Sequence, residues 1–239
     1  MIAEEKLLEA LKNGVGRTRS LMADLTEYHG GPVETEYLLT SDLAREFLER
    51  GYLVSVEGLN RNFCSALSSD HPVKARWLLG AKRTDVVVGD VLAPDILIEV
   101  KIRVKGHSAI SDDLRKICKT IGLMKASRQR TIIGASVFQF YLSSTRVRCT
   151  RDQFVSAVVD FETQLRSDLA CSSGRYEDFS LELVSLMATP QDGIVDDEID
   201  HDFDGTPMLG RKGHTTRYYA VLVKHRLYGQ SSPTSFAKR

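Results

Sequence analysis

Two short apolar runs dominate the hydrophobic pattern of the chain, Arg83-Thr84-Asp85-Val86-Val87-Val88 and Ile96-Leu97-Ile98-Glu99-Val100-Lys101. Their β-branched content predicts buried strands over about 84–89 and 95–102, joined by a turn near Gly89-Asp90. Upstream, residues 4–24 read as helix with a break near Gly14 and Gly16, and Gly30-Gly31-Pro32 then punctuates the chain. A second helix, Glu34 to Arg50, carries the stripe Leu39, Leu43, Ala44, Phe47 and Leu48 and stops at Gly51. Tyr52 to Val56 alternates as a strand, and the irregular stretch to Lys82 is anchored by Trp77, Leu78 and Leu79. Ser111 is the expected N-cap of a third helix, with Leu114, Ile117, Cys118 and Ile121 on one side. Gly134 to Leu142 reads as another strand. Farther on, residues 151–169 predict a helix through Phe154, Val158, Phe161 and Leu165, and strands are expected at Phe179–Leu186 and Tyr218–Lys224.

Charged groups interrupt the two apolar runs where a core strand should hold none. Burying a charge costs several kcal/mol unless it is paired or binds a metal. Strand alternation puts Glu99 and Lys101 on one face, while Ile98, Val100 and Ile102 point to the other. Thirteen residues separate Asp85 from Glu99, so a hairpin would set the two carboxylates side by side. Two acids and one amine suit a hard divalent cation and an attacking water.

Composition adds bounds. With 239 residues, 42% hydrophobic and 27% charged, the chain can build a sizeable core. No run approaches a membrane span, and the start Met1-Ile2-Ala3-Glu4-Glu5-Lys6 lacks the look of a signal peptide. The scattered cysteines Cys64, Cys118, Cys149 and Cys171 fit a reduced cytoplasmic protein and form no zinc pattern. The 32 basic and 32 acidic residues cancel, but unevenly. Nine Lys or Arg lie between Lys101 and Arg130 against two Asp, whereas the stretch Asp192 to Asp204 carries seven acids and no Lys or Arg. The basic half begins at the charged strand.

The element order and the D-x13-E-x-K spacing resemble the PD-(D/E)xK nuclease superfamily, the fold of many restriction endonucleases and Holliday-junction resolvases, over about residues 34–142. The resemblance implies an α/β, restriction-endonuclease-like core of α-β-β-β-α-β order, with a mixed sheet flanked by helices and a C-terminal α+β extension. The implied organisation is an N-terminal helical segment (1–33), the nuclease core (34–150), an extension packed on it (151–229) and a loose tail (230–239). It further implies a Mg2+-dependent DNA endonuclease, with Mn2+ as a substitute. Asp85 and Glu99 would bind metal, the Val100 carbonyl would complete the shell, and Lys101 would position or deprotonate the attacking water. Many members add an acid from the first core helix; Glu36, at the edge of the apolar stripe, and Asp42, turned away from it, are the candidates. The chain departs from the literal signature, because Thr84 rather than Pro precedes Asp85. Pro94-Asp95 supplies a literal PD, but on the same strand as Glu99. The Q-x-x-x-Y element of the RecB-like branch is absent.

DNA is the expected partner, with Arg103, Lys105, His107, Arg115, Lys116 and Lys119 as backbone contacts. A homodimer would suit cutting of both strands. The alternative keeps the fold without the chemistry, as a non-catalytic nucleic-acid-binding or assembly protein. The run Asp200-His201-Asp202-Phe203-Asp204-Gly205 imitates a calcium loop, but Arg211 stands where an EF-hand needs Glu. The six histidines show no ligand spacing.

Overall fold

The apolar runs pair into one mixed sheet. A computed structural model describes residues 2–29, 36–59, 83–90, 93–124, 132–144, 151–171, 176–187, 191–194, 200–201, 207–208 and 213–226. Helices are α1 (Glu4–His29), α2 (Glu36–Glu49), α3 (Ser111–Leu123) and α4 (Arg151–Cys171). Strands are β1 (Val54–Leu59), β2 (Arg83–Asp90), β3 (Ala93–Val104), β4 (Ile133–Ser144), β5 (Phe179–Ser185), β6 (Gln191–Ile194), β7 (Asp200–His201), β8 (Pro207–Met208) and β9 (Gly213–His225). The main sheet runs β1-β2-β3-β4-β9-β5, with β6 also on β9, and the short pair β7-β8 stands apart.

Among the described strands, only β3 and β4 pair in parallel. A parallel pair needs a crossover, and α3 supplies it. Both faces of the sheet are covered, giving a three-layer α/β sandwich. Helices α1 and α2 pack Leu7, Leu11, Leu39, Leu43 and Phe47 against Val86, Val88, Ile98 and Val100. Helices α3 and α4 pack Leu114, Ile117, Phe161 and Leu165 against Val87, Leu97, Phe138 and Tyr219. Residues after 150, expected as an extension packed on the core, supply α4 and three strands of this same sheet, β5, β6 and β9. Strand β9 lies between β4 and β5, and its stretch Tyr218–Val223 is wholly buried.

Some local expectations change. Helix α1 runs unbroken through Gly14 and Gly16. Gly14 sits against Leu43 of α2, and packing there outweighs a helix-propensity cost of about 1 kcal/mol. Helix α2 ends as expected at Gly51, where Tyr52 N–H donates to the Phe47 carbonyl at 3.1 Å. Ser111 is the first residue of α3 rather than its cap; Ile110 holds the cap position with no side-chain bond, and the Ser111 hydroxyl donates to the Ser108 carbonyl at 3.1 Å. Trp77, Leu78, Leu79 and the 230–239 tail lie outside the described residues.

Candidate active site

Strand alternation builds the site from the β2–β3 hairpin. The ladder pairs Val86 with Ile98 and Val87 with Leu97. Val87 and Leu97 belong to the core under α3 and α4. Period-two alternation therefore turns Asp85, Glu99 and Lys101 to that face. Asp85 and Glu99 are the next positions beyond the last pair, on adjacent strands. There the ladder gives way to a side chain: Val100 N–H donates to Asp85 Oδ2 at 2.7 Å. Asp95 belongs to the far end of the hairpin, about 13 Å from Glu99 at four residues of strand rise.

Two irregularities flank these residues. Between Lys101 and Val104 the register on β4 shifts by one residue, which makes a bulge. Arg103 within it has φ 55°. On β1, Glu57 has φ 54° between the pairs Val56–Val86 and Gly58–Thr84, beside Asp85. Non-glycine residues in this region are strained and gather at functional sites. The bulge also changes the expectation for Ile102, which is half-buried at a turn of the strand rather than continuing the row of Ile98 and Val100. Its backbone N–H faces Glu36 instead.

Glu36 begins α2 and comes within the field of Lys101, Asp85 and Asp113. Asp42, the other helix candidate, is turned to α1, where Thr18 Oγ1 donates to it at 2.8 Å. The N-terminal turns of α3 close the site from above. Asp113 faces Lys101 and Lys116, and Lys116 Nζ reaches Glu99 Oε2 in a short ion pair while donating to the Arg83 carbonyl at 2.6 Å.

Electrostatically the site is rich in buried acids. Burial is the leading cause that raises the carboxyls of Glu36, Asp85, Glu99 and Asp113 above their usual range. Glu99 is pushed furthest, to about 8; Lys116 pulls it down, while Asp85 and Asp113 repel its charge. Two lysines face four acids. A site of this kind gains from a further cation.

Comparison with a second buried glutamate isolates what is unusual. Glu46 of α2 is also buried, and both its oxygens are engaged. Asn13 and Arg50 donate to Oε1 at 3.1 and 2.8 Å, and Arg17 stands 3.2 Å from Oε2. Glu99 is 2% exposed, yet its Oε1 has no hydrogen-bond partner. Ser136, its neighbour on β4, and Asp113 also carry buried oxygens without one. Among the described residues, no three His, Cys, Asp or Glu side chains gather closely enough to hold a metal by themselves. That excludes a dedicated protein cage there. It leaves the way Mg2+ is commonly held, by one or two carboxylates with water and substrate phosphate.

Arg103, Lys105, Arg115 and Lys119 are exposed, and His107 is half-buried in a short 3-10 turn. Arg103 stacks over Tyr141 at 5.9 Å, and Arg115 pairs with Asp112. Lys116, expected as a surface contact, turns inward instead and is 15% exposed. Asp113 and Ser136 were not singled out from sequence. The signal for the first was present: Asp113 and Lys116 are three apart on α3 and share a face. For Ser136 it was a lone hydroxyl in the apolar run Ile132–Phe138.

No family model, curated protein or solved structure matches the chain. No helix among the described residues is long and apolar enough to cross a membrane. The calcium-like run falls largely outside the described residues, which include only Asp200 and His201 of it.

Proposed function

We propose that this protein is a Mg2+-dependent DNA endonuclease of the PD-(D/E)xK kind, hydrolysing phosphodiester bonds at the Asp85–Glu99–Lys101 site. The reading is carried by one observation: Glu99 is buried, paired with Lys116 and close to the acids Asp85 and Asp113, with one carboxylate oxygen lacking any protein partner. An all-oxygen donor set favours Mg2+ or Mn2+ over zinc. Asp85 and Glu99 would hold the ion, with the Val100 carbonyl as a further oxygen and Glu36 reached through water. When bound, Mg2+ would supply charge neutralisation at the phosphate and an acidified water.

The chain's own residues perform the rest. Lys101, half-buried and facing Glu36 and Asp113, holds the attacking water in place and counters charge on the phosphate. The β3 bulge brings the Ile102 N–H to Glu36, which keeps that carboxylate at the site. Exposed Arg103, Lys105, Arg115 and Lys119, with His107, offer a basic edge along which the DNA backbone lies without sequence being read.

The test is incubation of circular and linear DNA with Mg2+ or Mn2+, comparing the parent with Asp85→Ala and Lys101→Ala. Metal-dependent cutting lost in both variants is the expected result. Equal cutting by all three would sink the assignment. DNA binding without cutting by the parent would favour a non-catalytic binding protein on the same fold.

A further inference from the structure

We infer that Lys116 is a positioning residue of the metal site, fixing Glu99 through Oε2 so that Oε1 is presented to the ion. The inference rests on the nuclease reading and assigns a second lysine to it, with a task separate from that of Lys101.

Lys116 lies on the first turns of α3, at the crossover between β3 and β4. Its ammonium has two protein partners on two different strands, Glu99 Oε2 on β3 and the Arg83 carbonyl at the start of β2. A cation held from both strands has little freedom to follow a mobile carboxylate; the carboxylate is held by it. One oxygen of Glu99 is thereby occupied and the other is left unpaired in a buried place. The same contact ties α3 to the opening of the hairpin, where Val100 N–H and Asp85 replace the regular ladder. Lys116 is thus poorly placed to serve as a surface contact for DNA. Lys101 faces Glu36 and Asp113 and is the amine left for water or phosphate.

A different role gives an opposite expectation. If Lys116 were only a stand-in cation that metal must displace, removing it would tighten metal binding. If it orients Glu99, removing it weakens binding even though a like charge has gone. Residues that orient metal ligands cost about 10–100-fold in affinity or activity when mutated.

The experiment uses the full chain and Mn2+ as probe. Free Mn2+ is followed by electron paramagnetic resonance to give binding, and cleavage of plasmid is measured against Mn2+ concentration. The parent, Lys116→Met, Lys116→Arg and Lys101→Met are compared, with circular dichroism to confirm the fold. Lys116→Met is expected to weaken Mn2+ binding about tenfold or more and to raise the Mn2+ needed for half-maximal cutting in parallel. Lys116→Arg is expected to recover most of both. Lys101→Met is expected to bind Mn2+ yet fail to cut. Should Lys116→Met lose the fold, Lys116→Gln, which keeps an N–H donor, is read in its place. Unchanged or tighter Mn2+ binding in the folded Lys116 variant, with cutting retained, would overturn the inference and leave the nuclease reading standing. A parent that neither binds Mn2+ nor cuts DNA would overturn both.

Discussion

Asp85 accepts the backbone N–H of Val100, at 2.7 Å, so a side chain on one strand satisfies the donor that lies between Glu99 and Lys101 on the next. The hairpin opens at this point without leaving that amide unpaired. The two jobs of Asp85, holding the backbone and holding an ion, can be separated by substitution. Asp85→Asn keeps an oxygen for the amide and should fold like the parent while losing metal-dependent cutting. Asp85→Ala strands a buried donor and should also lower stability by about 1–3 kcal/mol. Urea unfolding beside plasmid cleavage distinguishes the two variants.

Glu99 couples stability to pH. Its folded carboxyl is raised from 4.5 to about 8. A raised group contributes stability fully below its unfolded value and loses it as pH rises through the folded value. In chelator, the protein should therefore become less stable between about pH 4.5 and pH 8. Glu99→Gln, which still offers an oxygen to Lys116, should flatten that decline. Urea midpoints across the window provide the measurement, and an unchanged slope in the variant would assign the decline to other groups.

Added Mg2+ or Mn2+ should stabilise the fold, because an ion that binds only the folded state adds RT ln(1 + [L]/Kd), about 2.7 kcal/mol at a hundredfold excess over Kd. Removing the ion with chelator should reverse the gain. Glu46→Gln is the control. It disturbs the fully paired acid between α1 and α2, so it should lower stability and leave the response to metal intact. A thermal shift lost equally in Glu46→Gln and Asp85→Asn would contradict the placement of the ion.

Gly134 sets the distance of α3 from the sheet. A Cβ there would stand 2.1 Å from Ile117 Cγ2 and 3.2 Å from Ile121 Cδ1. Ile117 follows Lys116 directly, so displacing it moves the cation from Glu99. Gly134→Ala should cost about 1–3 kcal/mol through overpacking. It should also raise the metal concentration needed for cutting, as read from cleavage against Mg2+.

Lys105 and Lys119 are exposed and take no part in holding Glu99. Each Lys→Ala change should weaken DNA binding to all sequences alike. The slope of log K against log salt should fall by about 1 per lost phosphate contact. Fluorescence anisotropy at several salt concentrations measures it. A slope unchanged in the double variant would move the DNA path elsewhere.

The sequence by itself determined the order of the helices and of β1, β2, β3, β4, β5 and β9, because periodicity reports which side of each element is buried; the short β6, β7 and β8 are too brief to show a period and were not legible in it. It also marked Asp85, Glu99 and Lys101, since charges inside β-branched runs need a reason. Glu36 was legible as the edge of an apolar stripe. Pairing across distance was not. That β9 lies inside the sheet, between β4 and β5, follows from hydrogen bonds to both, which leave no trace in local pattern. The continuity of α1 depends on Leu43 packing over Gly14. Lys116 looked like one basic residue among nine, and only the seating of α3 over the hairpin turned it onto Glu99. Burial patterns are written residue by residue along a chain, whereas the partner of a buried charge is chosen when elements pack.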